Sequence, residues 1–235
     1  MSMFRIDENE LCRIIADAPK YIIRIAKKKE IPTQKSFIKL KGQWRHRRLS
    51  QSWVKYLGRS LEKFYQENYS KNIFAFPSQF DLKKKLRIKQ REFLFDVSVG
   101  LYESFESNRF ECSKKVLPIY YQSHSIWQIE SEFAENTREI AVDFSKLLAG
   151  NADYAMMVGP SGREKTNYYM NEMKKILRSI DKLRTRYLYF LILPHPHNWT
   201  DEDCNWKDEN DWNLYRWNKD DWDEVDDGKW NFKTK

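Results

Sequence analysis

Apolar positions fall first into a helical rhythm. In NELCRIIADAPKYIIRIAKKK, Leu11, Ile14, Ile15, Tyr21, Ile22 and Ile25 recur at three- and four-residue steps, interrupted near Pro19. That spacing predicts one or two helices, followed by a basic loop. From Ser50 to about Tyr69 a longer helix is predicted. Ser50 or Ser52 is its cap, and Trp53, Tyr56, Leu57, Leu61, Phe64 and Tyr65 form one apolar side. The rhythm then changes. NIFAFP (72–77) fits a short strand, and QFDLKKKLRIKQ a polar connection or a short strand. REFLFDVSVGLYES (91–104) is aromatic and β-branched enough for a strand. KVLPIYYQS, limited by Pro118, reads as a short strand or extended loop, and SIWQIESEF (125–133) as a further strand. A helix is predicted over 136–148, stopped by Gly150, then a strand over 152–160, a helix over 164–182 and an apolar strand over 185–196. Apolar strands alternating with helices predict an α/β protein: a central mixed β-sheet flanked by helices.

Composition divides the 235 residues into three parts: a basic helical N-terminal segment (1–49), a core (50–198) and an acidic, Trp-rich C-terminal extension (199–235). Residues 200–235 hold 12 Asp/Glu and 6 Lys/Arg, so of the total charge of +8 the remainder carries +14. A body this basic attracts polyanions, of which nucleic acid is the commonest inside a cell. Candidate phosphate contacts are Lys27, Lys28, Arg45, Arg47, Arg48, Lys83, Lys84 and Lys85, with His124 close before the acidic strand. The bland alternative for such runs is a solvated face. The tail's tryptophans, Trp199 through Trp230, are spaced too irregularly for a repeat. They suit a flap whose rings cover the core or a dimer partner, or else a recognition surface. Its negative charge also suggests a mimic of DNA guarding the basic face.

Three cysteines, Cys12, Cys112 and Cys204, are far apart with no C-x-x-C pair, which argues against a disulfide framework or a zinc site. No stretch approaches the roughly 18–20 apolar residues of a membrane span, and the N-terminus lacks a secretory layout. A cytoplasmic protein of prokaryotic or phage type, without a membrane partner, is the expectation.

The candidate chemistry is carboxylate. Asp96 lies inside an apolar strand, between Phe95 and Val97, where a lone acid costs several kcal/mol if buried. Glu130 and Glu132 stand two apart in the next strand, so both carboxylates share a face, about 6.5–7 Å apart. If the strands are neighbours, three carboxylates converge and repel unless a divalent cation joins them. Hard oxygen ligands favour Mg2+, with Mn2+ able to substitute. The competing account leaves Glu130 and Glu132 on a solvent face and Asp96 at a strand end.

At these residues the chain resembles the PD-(D/E)XK nuclease superfamily, whose core is a helix, three strands, a helix and a strand. Its signature is an acid on the second strand and Asp/Glu-x-Lys on the third. The helix at 50–69, Asp96 in FLFDVSV, Glu130-Ser131-Glu132 in WQIESEF and the helix at 136–148 fall in that order. Phe95 replaces the usual Pro, and Glu132 stands where the family has Lys, as in an E-x-E subset of restriction enzymes. The resemblance covers roughly 50–195 and implies a restriction-endonuclease-like core. It assigns Asp96 and Glu130 to the metal, with the Ser131 carbonyl assisting, and Glu132 as metal ligand or general base. Glu62, on the first helix, falls where some relatives use a further catalytic Glu. Arg138 or Lys146 on the following helix are candidate replacements for the missing Lys. It further implies Mg2+-dependent hydrolysis of double-stranded DNA as a restriction or defence enzyme, and a homodimer cutting two strands. The rivals are a repair or recombination nuclease of the same fold and a non-catalytic nucleic-acid-binding protein on it.

GPSGREKT (159–166) resembles a phosphate loop only loosely, since Arg163 and Glu164 separate Gly162 from Lys165; a strand-to-helix turn is the better account. His195 and His197 lack partner ligands in sequence and read as loop residues.

Overall fold

The computed structural model describes residues 3–27, 43–76, 95–107, 117–133, 137–180, 183, 185, 187–195 and 212–225. They form an α/β structure of four helices and a seven-stranded sheet. The helices are α1 (Glu8–Lys27), α2 (Gln43–Asn68), α3 (Thr137–Ala149) and α4 (Arg163–Arg178). The strands are β1 (Ile73–Phe76), β2 (Val97–Ser107), β3 (Leu117–Ser131), β4 (Tyr154–Pro160), β5 (Tyr187–Leu193), β6 (Asn213–Asn218) and β7 (Asp221–Glu224). Their order in the sheet is their order in the chain. β1, β2 and β3 are antiparallel neighbours, β3, β4 and β5 are parallel, and β6 and β7 return antiparallel. Parallel pairs need a crossover, which α3 and α4 provide.

Period-two alternation divides the core into two layers. On one face Val97, Val99, Trp127, Ile129, Met156, Val158 and Leu191 meet α1 and α2 through Leu11, Ile15, Trp53, Leu57 and Leu61. On the other, Ala155, Met157, Phe190 and Ile192 meet α3 and α4 through Ile140, Phe144, Leu147, Tyr169 and Met173. β4 is buried at every residue, as expected of a strand covered on both sides. The first layer includes a buried polar link, Trp127 Nε1 donating to Tyr65 Oη at 2.9 Å.

Four sequence expectations change. α1 runs without a break past Pro19, because burial of Leu11, Ile14, Ile15 and Ala18 along one stripe outweighs the lost hydrogen bond. α2 starts at Gln43 rather than Ser50, taking in WRHRR; its Leu49 is buried, and Arg and Gln are good helix formers. The two segments expected on either side of Ser123 are one strand of 15 residues, β3. Pro118 is tolerated because among the described residues β3 has only β2 as neighbour there, so one side of its backbone needs no ladder bond. β2 begins at Val97, which leaves Asp96 at the entrance of the strand rather than inside it.

Helix α1 and the β6–β7 hairpin join the same body. α1 begins with Asp7 Oδ1 capping the Glu10 N–H at 2.8 Å, and Glu8 accepts from Arg216 of β6 at 2.7 Å. The described part of the Trp-rich extension is the β6–β7 hairpin, turned at Lys219 with φ of 57°. Trp212 is buried, and Trp222 packs on Phe190 while its Nε1 donates to Met170 O at 3.3 Å. Trp199, Trp206 and Trp230 lie outside the described residues. Among the described residues no helix is long and apolar enough to cross a membrane.

If the hairpin is part of the cooperative unit, Trp212→Ala should remove about 3–5 kcal/mol of stability, the usual cost of emptying a buried aromatic site. Urea unfolding followed by fluorescence and by far-UV circular dichroism should shift together; separate transitions would detach the hairpin from the core.

Candidate metal and active site

The register of β2 on β3 sets the geometry. Val97 pairs with Ile129 and Ser98 with Gln128, so Asp96 falls beside Glu130, one step beyond the last pair. Both lie on the α3 side of the sheet, at the carboxyl end of β3, where the parallel strands β4 and β5 also end. Open α/β sheets place ligand sites in that position.

Glu130 is 3% exposed, and its Oε1 is buried with no hydrogen-bond partner among the described residues. Lys146 Nζ on α3, the cation paired with it among the described residues, is 3.7 Å away, close enough to attract but too far for a hydrogen bond. Lys146 is instead bound to Asp143 Oδ1 at 2.5 Å, one turn earlier on α3. Burial, reinforced by the charge of Asp96, pushes the Glu130 carboxyl up to about 8; Lys146 pulls it back only in part. The hydrogen bond from Lys146 to Asp143 raises the lysine above its ordinary value and keeps it charged. Asp96 is half-buried, and its Oδ2 accepts from both the Ser131 N–H at 2.9 Å and the Ser131 hydroxyl at 2.6 Å.

Gln128 continues this polar row. It is buried, its Nε2 donates to Ser125 Oγ at 3.3 Å, and its Oε1 has no partner among the described residues. A Cβ at Gly150 would stand 1.9 Å from that oxygen, so a larger residue after α3 would have to displace the Gln128 amide. The β4–α4 turn confirms the plain reading of GPSGREKT: Gly162 has φ of 147°, a conformation other residues rarely adopt.

The expected site residues separate. Asp96 and Glu130 are together. Glu132 follows the end of β3, half-buried, with its N–H donating to Val158 O at 2.9 Å. Glu62 is not brought to this group. It lies on α2, which packs on the opposite face, where Oε1 accepts from Gln66 Nε2 and Oε2 from the Ala75 N–H, both at 3.2 Å. Its carboxylate therefore secures the edge strand β1. His124 is six residues back along β3, about 20 Å away by strand rise, and is paired with Asp153 at 2.9 Å. Lys27 is the last residue of α1, and Arg45, Arg47 and Arg48 occupy the first two turns of α2. Lys28, Lys83, Lys84 and Lys85 lie outside the described residues, as does His197. His195 lies two residues past the end of β5 with its ring 6.0 Å from Phe133, and Arg138 is exposed on α3.

Among the described residues no three His, Cys, Asp or Glu side chains are grouped closely enough to hold a metal by themselves. The threefold convergence expected of Asp96, Glu130 and Glu132 is thus a carboxylate pair plus the Lys146–Asp143 ion pair. Asp143 was not anticipated. Its only sequence signal is the i, i+3 spacing to Lys146 on α3.

Comparison with family models, curated proteins and solved structures gives no match to this chain.

Because the folded state raises the Glu130 pKa, it holds a proton that the unfolded chain has lost above about pH 4.3. The stabilising contribution is complete below that pH and disappears as pH rises through about 8. In chelator, urea unfolding should therefore show wild type losing stability relative to Glu130→Gln between pH 5 and pH 8.5. Parallel pH profiles for the two proteins would contradict the buried, uncompensated carboxylate.

Proposed function

We propose that this chain is a metal-dependent endonuclease acting on double-stranded DNA, a restriction or defence enzyme with a PD-(D/E)XK-like, restriction-endonuclease-like core. The observation that carries the reading is Glu130: a buried carboxylate, with an oxygen unpartnered among the described residues, beside Asp96 at the carboxyl end of β3. The element order supports it. α2, β1, β2, β3, α3 and β4 follow the helix, three strands, helix and strand of that family, with acids at the entrance of the second strand and the end of the third.

The residues fit a hard divalent cation. Glu130 Oε1 lacks a positive partner at bonding distance, and two carboxylates are what Mg2+ commonly takes from a protein, water and substrate phosphate supplying the remainder. Bound Mg2+ or Mn2+ supplies charge stabilisation at the phosphoryl oxygens and a more acidic water. Asp96 and Glu130 bind and orient that ion. Lys146, held charged by Asp143, stands beside Glu130 and takes the place of the lysine that the E-x-E motif lacks. It offers a cation to the negative charge that develops on a phosphodiester during attack. Glu132 adds a third carboxylate, as ligand or as base for the attacking water. The basic residues of α1 and α2, and Lys28 and Lys83–Lys85, supply the attraction for the DNA backbone. Two copies acting together would cut both strands.

Supercoiled plasmid incubated with Mg2+ or Mn2+ should be nicked and linearised, and chelator should stop the reaction. Glu130→Ala and Asp96→Asn should each lose more than the roughly 10–100-fold that changes outside a metal's direct ligands cost. Wild type that binds DNA yet cleaves with neither ion would identify a binding protein on this scaffold; cutting confined to ends or flaps would identify a repair nuclease.

Lys146→Ala should lower the cleavage rate by about 10²–10³-fold, as loss of one transition-state donor does. Its Mn2+ affinity should not fall, because a competing cation has been removed from Glu130. Unchanged cleavage would return Lys146 to the helix surface.

A further inference from the structure

The two donors on Asp96 are more specific than charge neutralisation requires. Both come from Ser131, and both reach the same oxygen, Oδ2. Among the described residues no hydrogen bond to Oδ1 accompanies them. A carboxylate gripped by two donors on one oxygen has its plane and rotamer set, with the other oxygen left as its free acceptor. The grip comes from the residue directly after Glu130. One stretch of β3 therefore carries one acid of the pair and fixes the orientation of the other.

We infer that Ser131 is a positioning residue, whose hydroxyl holds Asp96 so that one oxygen alone is presented to the divalent cation. This rests on the metal-site reading above. It also gives the middle residue of Glu130-Ser131-Glu132 a side-chain task distinct from its carbonyl. The N–H donor survives any substitution except proline, so the hydroxyl is the part that mutation can remove. A serine that merely pinned β2 to β3 would lower stability when replaced and would leave ion affinity unchanged.

The test is calorimetric titration of the full-length chain with Mn2+, at fixed pH and without nucleic acid. Ser131→Ala should bind Mn2+ about tenfold more weakly, in the range for loss of a partner that orients a metal ligand. Ser131→Thr, which keeps the hydroxyl, should restore wild-type affinity. Ser131→Cys, close in size but a poor donor, should resemble Ala and serves if the Ala variant does not fold. Asp96→Asn should abolish binding. Wild-type affinity in Ser131→Ala or Ser131→Cys, with Asp96→Asn still defective, would overturn the role of Ser131 and leave the metal site standing. Wild-type affinity in Asp96→Asn would overturn the metal site and this inference together.

Discussion

A buried carboxylate whose Oε1 has no hydrogen-bond partner among the described residues is the constraint around which this site is organised. Glu130 lies beneath α3 with Oε1 unpartnered, and the protein places a second acid, Asp96, beside it rather than a neutralising group. Packing alone gives no reason for this choice, since an apolar residue would satisfy the same position at no electrostatic cost. The local lysine does not relieve it. Lys146 spends its close contact on Asp143 and stays 3.7 Å from Glu130. The fold meets this by holding a proton on Glu130 up to about pH 8, and under the proposed function a divalent cation would take that proton's place.

The sheet delivers this geometry through connectivity. An antiparallel step from β2 to β3 brings Asp96 and Glu130 into adjacent register, and the parallel step from β3 to β4 forces a crossover helix over the same edge. That crossover, α3, carries Lys146 and Asp143 to the acids. The terminal elements stiffen the far side. Glu8 of α1 binds Arg216 of β6, which ties the first described helix to the strand beside β5.

Much of this was readable from the chain. The apolar alternation of FLFDVSV and IWQIESEF identified the two acid-bearing strands, and the helical stripes of α2 and α3 were visible in their three- and four-residue spacing. Local signals failed where long-range burial competes with them. Ser50 looks like a cap, yet Leu49 is buried and the helix continues to Gln43; Pro19 looks like a break, yet α1 passes through it. The composition of the tail disguised a sheet-forming hairpin, because Trp222 is the one buried residue among the acids of the four-residue strand β7. Within the site, sequence order could bring Glu62 near the acids but could not tell which sheet face α2 covers. Spacing likewise could not select Lys146 over Arg138, which depends on how α3 rotates on β3.

The most direct measurement is anomalous diffraction from crystals of the full-length protein soaked in Mn2+. The account predicts one strong peak bonded to Asp96 and Glu130, with Lys146 still paired to Asp143. Peaks only elsewhere, with Glu130 and Lys146 closed into a direct hydrogen bond, would contradict it.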